Sequence, residues 1–219
     1  MVKKLIILGD SFCHGIGTVS VFKNKANTEK SFGKYIADAL NLEYVNLAAP
    51  GTSIIRSIQI GHQYISANKQ HIELVIAGWT SPHRFDMYNK TTEFQVLPQF
   101  CKLGNTEETD VFVEYHDSIK FITDSNNRKH ADTLKGFYRL MIDNDFFDSQ
   151  AELSVTMAKC FQSWLKDHDI NFIDFNVFGN TLLKTKCPLT FLDVMDPVRH
   201  PTEEEQKEFA KIFINWMTK

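Results

Sequence analysis

Leu5-Ile6-Ile7-Leu8-Gly9-Asp10-Ser11-Phe12-Cys13-His14-Gly15 is the stretch on which the reading of this chain turns. Its four consecutive apolar residues suit a strand buried on both faces, as in the middle of a parallel sheet. The run stops at a small, polar, glycine-flanked turn. In open parallel sheets, ligands bind beyond the carboxyl ends of the strands, so Ser11 stands at a rim where a site is built.

The same pattern continues outward from this strand. Residues 43–47, 72–77 and 170–175 read as a second, third and fourth strand. Residues 31–41 predict a helix with Phe32, Tyr35, Ile36 and Ala39 on one face, and the turn Ala49-Pro50-Gly51-Thr52-Ser53 opens another with Ile54, Ile58, Gly61 and Ile65 inward. Ser149 and Glu152 match a capping box, as do Thr202 and Glu205. The first predicts a helix start, with Leu153, Met157, Phe161, Trp164 and Leu165 as its apolar stripe. The second opens the last helix, where Glu203, Glu204 and Glu205 suit the positive end of the dipole and Phe209, Ile212, Phe213, Trp216 and Met217 form the stripe.

Alternating strands and helices predict an α/β fold with a parallel central sheet covered on both faces, of flavodoxin-like type, with right-handed crossovers. Residues 84–146 interrupt the alternation with short aromatic or β-branched runs at 92–97, 110–115 and 119–123. They read as an insertion after the third strand. No repeat or linker divides the chain, so residues 1–219 read as one domain.

Composition narrows the function classes. Of the 219 residues 43% are hydrophobic and 23% charged, an ordinary globular balance. A net charge of −3 argues against a nucleic-acid or anionic-membrane partner. Cys13, Cys101, Cys160 and Cys187 are widely spaced, which argues against a zinc cluster or a disulfide framework. Lys3-Lys4 followed by Leu5–Leu8 imitates the start of a signal peptide, but the apolar stretch ends at Gly9, too soon for an h-region. No run reaches the length of a membrane span. The expectation is a cytoplasmic protein; oligomeric state is not legible.

Serine hydrolysis requires an activated hydroxyl, a base within reach, an orienting acid and donors for the oxyanion. Ser11 supplies a hydroxyl and a backbone N–H in the turn after the first strand. Gly51, after the second, exposes an N–H with no side chain in the way. Thr80, after the third, brings a further hydroxyl. Asp196 and His200 precede the last helix. All lie at strand carboxyl ends or in the final loop, on one rim of the sheet.

In this order the residues resemble the SGNH/GDSL hydrolase family. Gly9-Asp10-Ser11-Phe12 is similar to its first block, Asn46-Leu47-Ala48-Ala49-Pro50-Gly51-Thr52-Ser53 to its second, and His200-Pro201-Thr202 to the end of its last. The resemblance implies a three-layer α/β/α sandwich and hydrolysis of carboxylic esters of lipids, sugars or small molecules, without metal or organic cofactor. Ser11 would be the nucleophile, His200 the base and Asp196 the acid. The N–H groups of Ser11 and Gly51, with Thr80 Oγ1, would form the oxyanion hole. Two departures stand out. Thr80 occupies the place of the family's third-block Asn, and Pro197 lies three residues before His200, where the family has Asp. Asp193 is therefore a second candidate for the acid, and a binding module with degraded chemistry is the alternative function.

Three residues near the third strand carry two readings each. Trp79 lines an acyl or sugar pocket, or belongs to the core. His83 and Arg84 face the substrate, or Ser81-Pro82-His83-Arg84 is an ordinary helix start. Cys13 and His14 are neighbours whose side chains diverge, so they do not predict a metal site.

Overall fold

The computed structural model describes residues 2–20, 25–88, 93–96, 146–179, 182–195 and 199–219. The central sheet has four parallel strands, β1 (Lys4–Leu8), β4 (Glu43–Asn46), β5 (Ile72–Trp79) and β8 (Asn171–Asn176). Their order is β4-β1-β5-β8, which puts the Leu5–Leu8 strand in the interior of the sheet. Two antiparallel pairs stand apart from it: β2 (Ile16–Ser20) with β3 (Lys25–Ala26), and β6 (Phe85–Tyr88) with β7 (Glu93–Val96).

Side chains alternate across the pleat and so sort the core into two layers. Leu5, Ile7, Leu74, Ile76 and Phe175 pack with α2 (Phe32–Leu40) and α5 (Glu203–Met217), through Phe32, Ile36, Phe209 and Phe213. Ile6, Leu8, Val75, Ala77 and Phe172 pack with α3 (Ile54–Asn68) and α4 (Phe146–Asp167), through Ile54, Ile58, Ile65, Phe161 and Leu165. The result is the expected three-layer α/β/α sandwich. Each fully buried Leu, Ile or Phe contributes about 1.5–3 kcal/mol.

Several local expectations change. Among the described residues α4 already runs from Phe146, so Ser149 lies within the helix and does not cap it. Its buried stripe is Ala151, Ser154, Ala158, Phe161 and Leu165, and Leu153 is exposed. The Thr202–Glu205 capping box forms as expected. Glu203 does more than complement the dipole: Lys207, Lys30 and Tyr35 bond its carboxylate and hold it at a pKa of about 2. The hairpin β6–β7 covers part of the predicted 92–97 run, whereas 110–115 and 119–123 lie outside the described residues.

Candidate active site

The turn after β1 is built by its backbone. Gly9 has φ +142°, and a Cβ there would come within 2.7 Å of the Gly78 carbonyl. Asp10 then caps a single helical turn, α1 (Ser11–His14), by accepting from the Phe12 N–H at 3.0 Å, and Gly15 closes it at φ +91°. Phe12 and Cys13 point into the core and leave Ser11 and His14 half-exposed. Burial pushes the Cys13 thiol well above its usual range, with the Asp10 charge adding to the effect, so the sulfur packs as a small apolar group.

His200 reaches this turn from the other end of the chain. Its Nε2 lies 2.9 Å from Ser11 Oγ, across 189 positions of sequence. The ring packs against Phe12, centroid to centroid 5.1 Å. Gly17 makes room for it: its φ is +93°, and a Cβ would stand 3.0 Å from His200 Cβ and 2.8 Å from the Pro201 carbonyl. Arg199 fixes the approach by bonding Glu205 through both guanidinium nitrogens at 2.7 Å and the His200 carbonyl at 3.1 Å. Gln206, fully buried on the first turn of α5, donates to the Phe12 carbonyl at 2.9 Å and accepts from the Phe32 N–H at 2.8 Å.

The second block lies against the first. Pairing with the β1 side continues past β4 through Leu47 N–H to the Ile7 carbonyl and Ala49 N–H to the Gly9 carbonyl. Asn46 donates to the Cys13 carbonyl at 3.2 Å and accepts from the Ala48 N–H at 3.0 Å. Gly51 follows in a tight turn at φ +74°. Ser53 caps α3 by accepting from the Arg56 N–H.

At the end of β5, Thr80 is 3% exposed, and its Oγ1 has no hydrogen-bond partner among the described residues. The neighbouring pocket candidates fall elsewhere. Trp79 is 1% exposed: strand alternation turns it into the α3/α4 layer, where its Nε1 donates to Asp174 at 2.8 Å, so it is core and not a pocket wall. Ser81–Arg84 is a turn closed by the Arg84 N–H on the Ser81 carbonyl and leading into β6, so no helix starts there. His83 Nε2 lies 3.6 Å from Asp148 of α4. Arg84, 5% exposed, donates to the Thr52 carbonyl at 3.2 Å and pairs with Asp10 at 3.4 Å. Arg84 is thus a buried strut under the Ser11 turn rather than a rim residue facing outward.

Burial lowers the pKa of His200 below its usual value; the Asp10 charge opposes this and the Arg84 charge adds to it. Asp196 lies outside the described residues. Asp193, the other acid candidate, is exposed and accepts from the Thr190 N–H at 2.6 Å in a capping box of its own. No group of three His, Cys, Asp or Glu among the described residues is arranged to hold a metal ion, and no described helix is long and apolar enough to cross a membrane. Sequence reasoning missed Gln206 and Gly17 in the supporting shell, and it named Arg84 and Asn46 without their supporting bonds. A glutamine in the first turn of an amphipathic helix looks like a surface residue, and pattern alone gave no signal for it.

Fold and site together define a three-layer α/β/α protein with a serine–histidine pair at the carboxyl rim of its sheet. No family model matches the chain, nor does any curated protein. Among solved structures it is similar to a lipolytic protein of the G-D-S-L family from Desulfitobacterium hafniense DCB-2, at 14% identity over 95% of this chain and 96% of that one, with a TM-score of 0.38. It is similar to phospholipase A1 from Streptomyces albidoflavus NA297, at 11% identity over 98% and 99%, TM-score 0.37. A carbohydrate acetylesterase family member from Sinorhizobium meliloti matches at 12% identity over 96% and 94%, TM-score 0.41. The chemistry rests on this chain's own residues.

Proposed function

We propose that this chain is a serine hydrolase of the SGNH/GDSL type that cleaves carboxylic esters of a lipid, sugar or small molecule through an acyl-enzyme on Ser11. The observation that carries the reading is the 2.9 Å approach of His200 Nε2 to Ser11 Oγ. As the Ser11 oxygen bonds to the ester carbonyl carbon, its proton passes to Nε2. The carbonyl oxygen takes the negative charge, and the N–H groups of Ser11 and Gly51 with Thr80 Oγ1 are the donors assigned to it. Collapse breaks the bond to the alcohol, which leaves with the proton from His200. Water then attacks the acyl carbon while His200 takes one of its protons, and the acid departs as Ser11 regains its hydroxyl. Asp196 is assigned to hold the Nδ1–H tautomer and to stabilise the imidazolium.

Two features support the assignment. His200 is held neutral near pH 7, the form able to accept a proton. Thr80 buries a hydroxyl that nothing in the described protein satisfies, at the strand end where a substrate oxygen would sit. The test is turnover of p-nitrophenyl acetate by wild type and Ser11→Ala, with a fluorophosphonate probe on the same samples. Ser11-dependent turnover and labelling are expected. A folded wild type that neither turns over nor labels would make the chain a binding module on this scaffold.

A further inference from the structure

Ser11 and His14 stand three residues apart on the one-turn helix α1 and so share its half-exposed face. His14 has no role in the chemistry above, yet its Nδ1 lies 2.8 Å from the Ala48 carbonyl. Because the carbonyl can only accept, Nδ1 carries the proton and donates. Ala48 is three residues before Gly51, whose N–H is assigned to the oxyanion. The same peptide segment is gripped from its other side: the Ala48 N–H donates to Asn46 Oδ1, and Asn46 Nδ2 returns to the Cys13 carbonyl. The next residue, Ala49, donates to the Gly9 carbonyl at 3.1 Å and accepts from Thr52 N–H across the Gly51 turn at 3.3 Å.

We propose that His14 is a positioning residue: through its bond to the Ala48 carbonyl it sets the Gly51 N–H at the distance from Ser11 that the developing oxyanion requires. Asn46 and the Gly9 carbonyl hold the N–H groups of Ala48 and Ala49, whereas His14 holds the Ala48 carbonyl, so its loss lets that peptide plane tilt ahead of the Gly51 turn. A displacement of about 1 Å at such a donor is enough to cost on the order of 100-fold in rate. The inference rests on the reading of Gly51 as an oxyanion donor.

The experiment compares p-nitrophenyl acetate kinetics of wild type, Ser11→Ala, His14→Ala, His14→Asn and His14→Gln, with melting temperatures on the same samples. Asn can place an N–H where Nδ1 stands, whereas the longer Gln places it where Nε2 stands. Expected for His14→Ala is a kcat at least 10-fold below wild type with KM within about twofold, since the lost interaction belongs to the transition state. His14→Asn recovers most of the kcat, and His14→Gln does not. Wild-type kcat in His14→Ala, a loss confined to KM, or equal kcat loss in the Asn and Ala variants would overturn the inference while leaving the hydrolase intact. Absence of Ser11-dependent turnover in wild type would instead overturn the hydrolase reading and this inference with it.

Discussion

Thr80→Val should make the protein more stable and a worse catalyst, opposite signs from one substitution. Valine has nearly the shape of threonine but no hydroxyl. Thr80 is 3% exposed and its Oγ1 is unsatisfied among the described residues, a condition that costs about 1–3 kcal/mol in the ligand-free protein. Removing the hydroxyl should recover roughly 1 kcal/mol, which in a chain of this length raises the melting temperature by about 2–4 °C. The same hydroxyl is assigned to the oxyanion, where loss of one donor lowers kcat by on the order of 100-fold. Thr80→Ser gives the reverse pattern: it keeps the donor and deletes a buried methyl, for a stability loss of about 0.8 kcal/mol with kcat within a few-fold of wild type. Calorimetry and p-nitrophenyl acetate turnover on the three proteins measure both quantities. If valine lowers the melting temperature and leaves kcat untouched, the hydroxyl holds the fold together and has no part in catalysis.

His200 acts as a base only when neutral, and its pKa is lowered, so kcat/KM should rise with pH through one ionisation below 6.5 and stay flat above it; a midpoint above 6.5 contradicts the environment described. The sign for stability follows from the same shift. The fold disfavours the protonated ring, so stability is full above pH 6.5 and declines as pH falls towards the lowered folded value, which urea titrations across that range will show. Gly17→Ala places a Cβ 2.8 Å from the Pro201 carbonyl at φ +93°; it should cost about 1–2 kcal/mol in backbone strain and lower kcat by moving His200, and an alanine variant with normal kcat would remove Gly17 as the seat of the base. Trp79→Phe removes the Nε1 donor to Asp174 but leaves Gln162 and the Lys186 N–H on that carboxylate, so denaturation should show a loss of about 1–3 kcal/mol with kcat within twofold. A large kcat loss there would return Trp79 to the pocket.

What the sequence made legible was whatever repeats with a period or breaks one. Strands expected at 43–47, 72–77 and 170–175 form at Glu43–Asn46, Ile72–Trp79 and Asn171–Asn176, because short runs rich in β-branched and aromatic residues between turns favour extended backbone. Ser11 and His200 were legible as residues of glycine- and proline-marked turns at opposite ends of the chain. For Trp79, His83 and Arg84 the sequence left two readings open for a common reason. Position after a strand says that a residue lies near the rim, but not which way its side chain turns. Trp79 is set by pleat alternation and by a carboxylate 95 positions away; Arg84 is set by a carboxylate 74 positions away. Long-range polar pairs of this kind leave no local pattern.

Burial keeps the proton affinity of His200 low beside a carboxylate, and the Asp10–Arg84 pair limits what that carboxylate does. The Asp10 charge favours the imidazolium and works against the burial of His200. Arg84, 3.4 Å from Asp10 and almost wholly buried, sets a positive charge against it. The two act on His200 with opposite signs, and burial outweighs either of them. The carboxylate keeps the task its geometry shows, capping the turn that carries Ser11, and Arg84 offsets part of its charge at the neighbouring imidazole. By this logic an acid can precede the nucleophile without serving as its relay. On the proposed mechanism, the task of stabilising the imidazolium during turnover is assigned to Asp196.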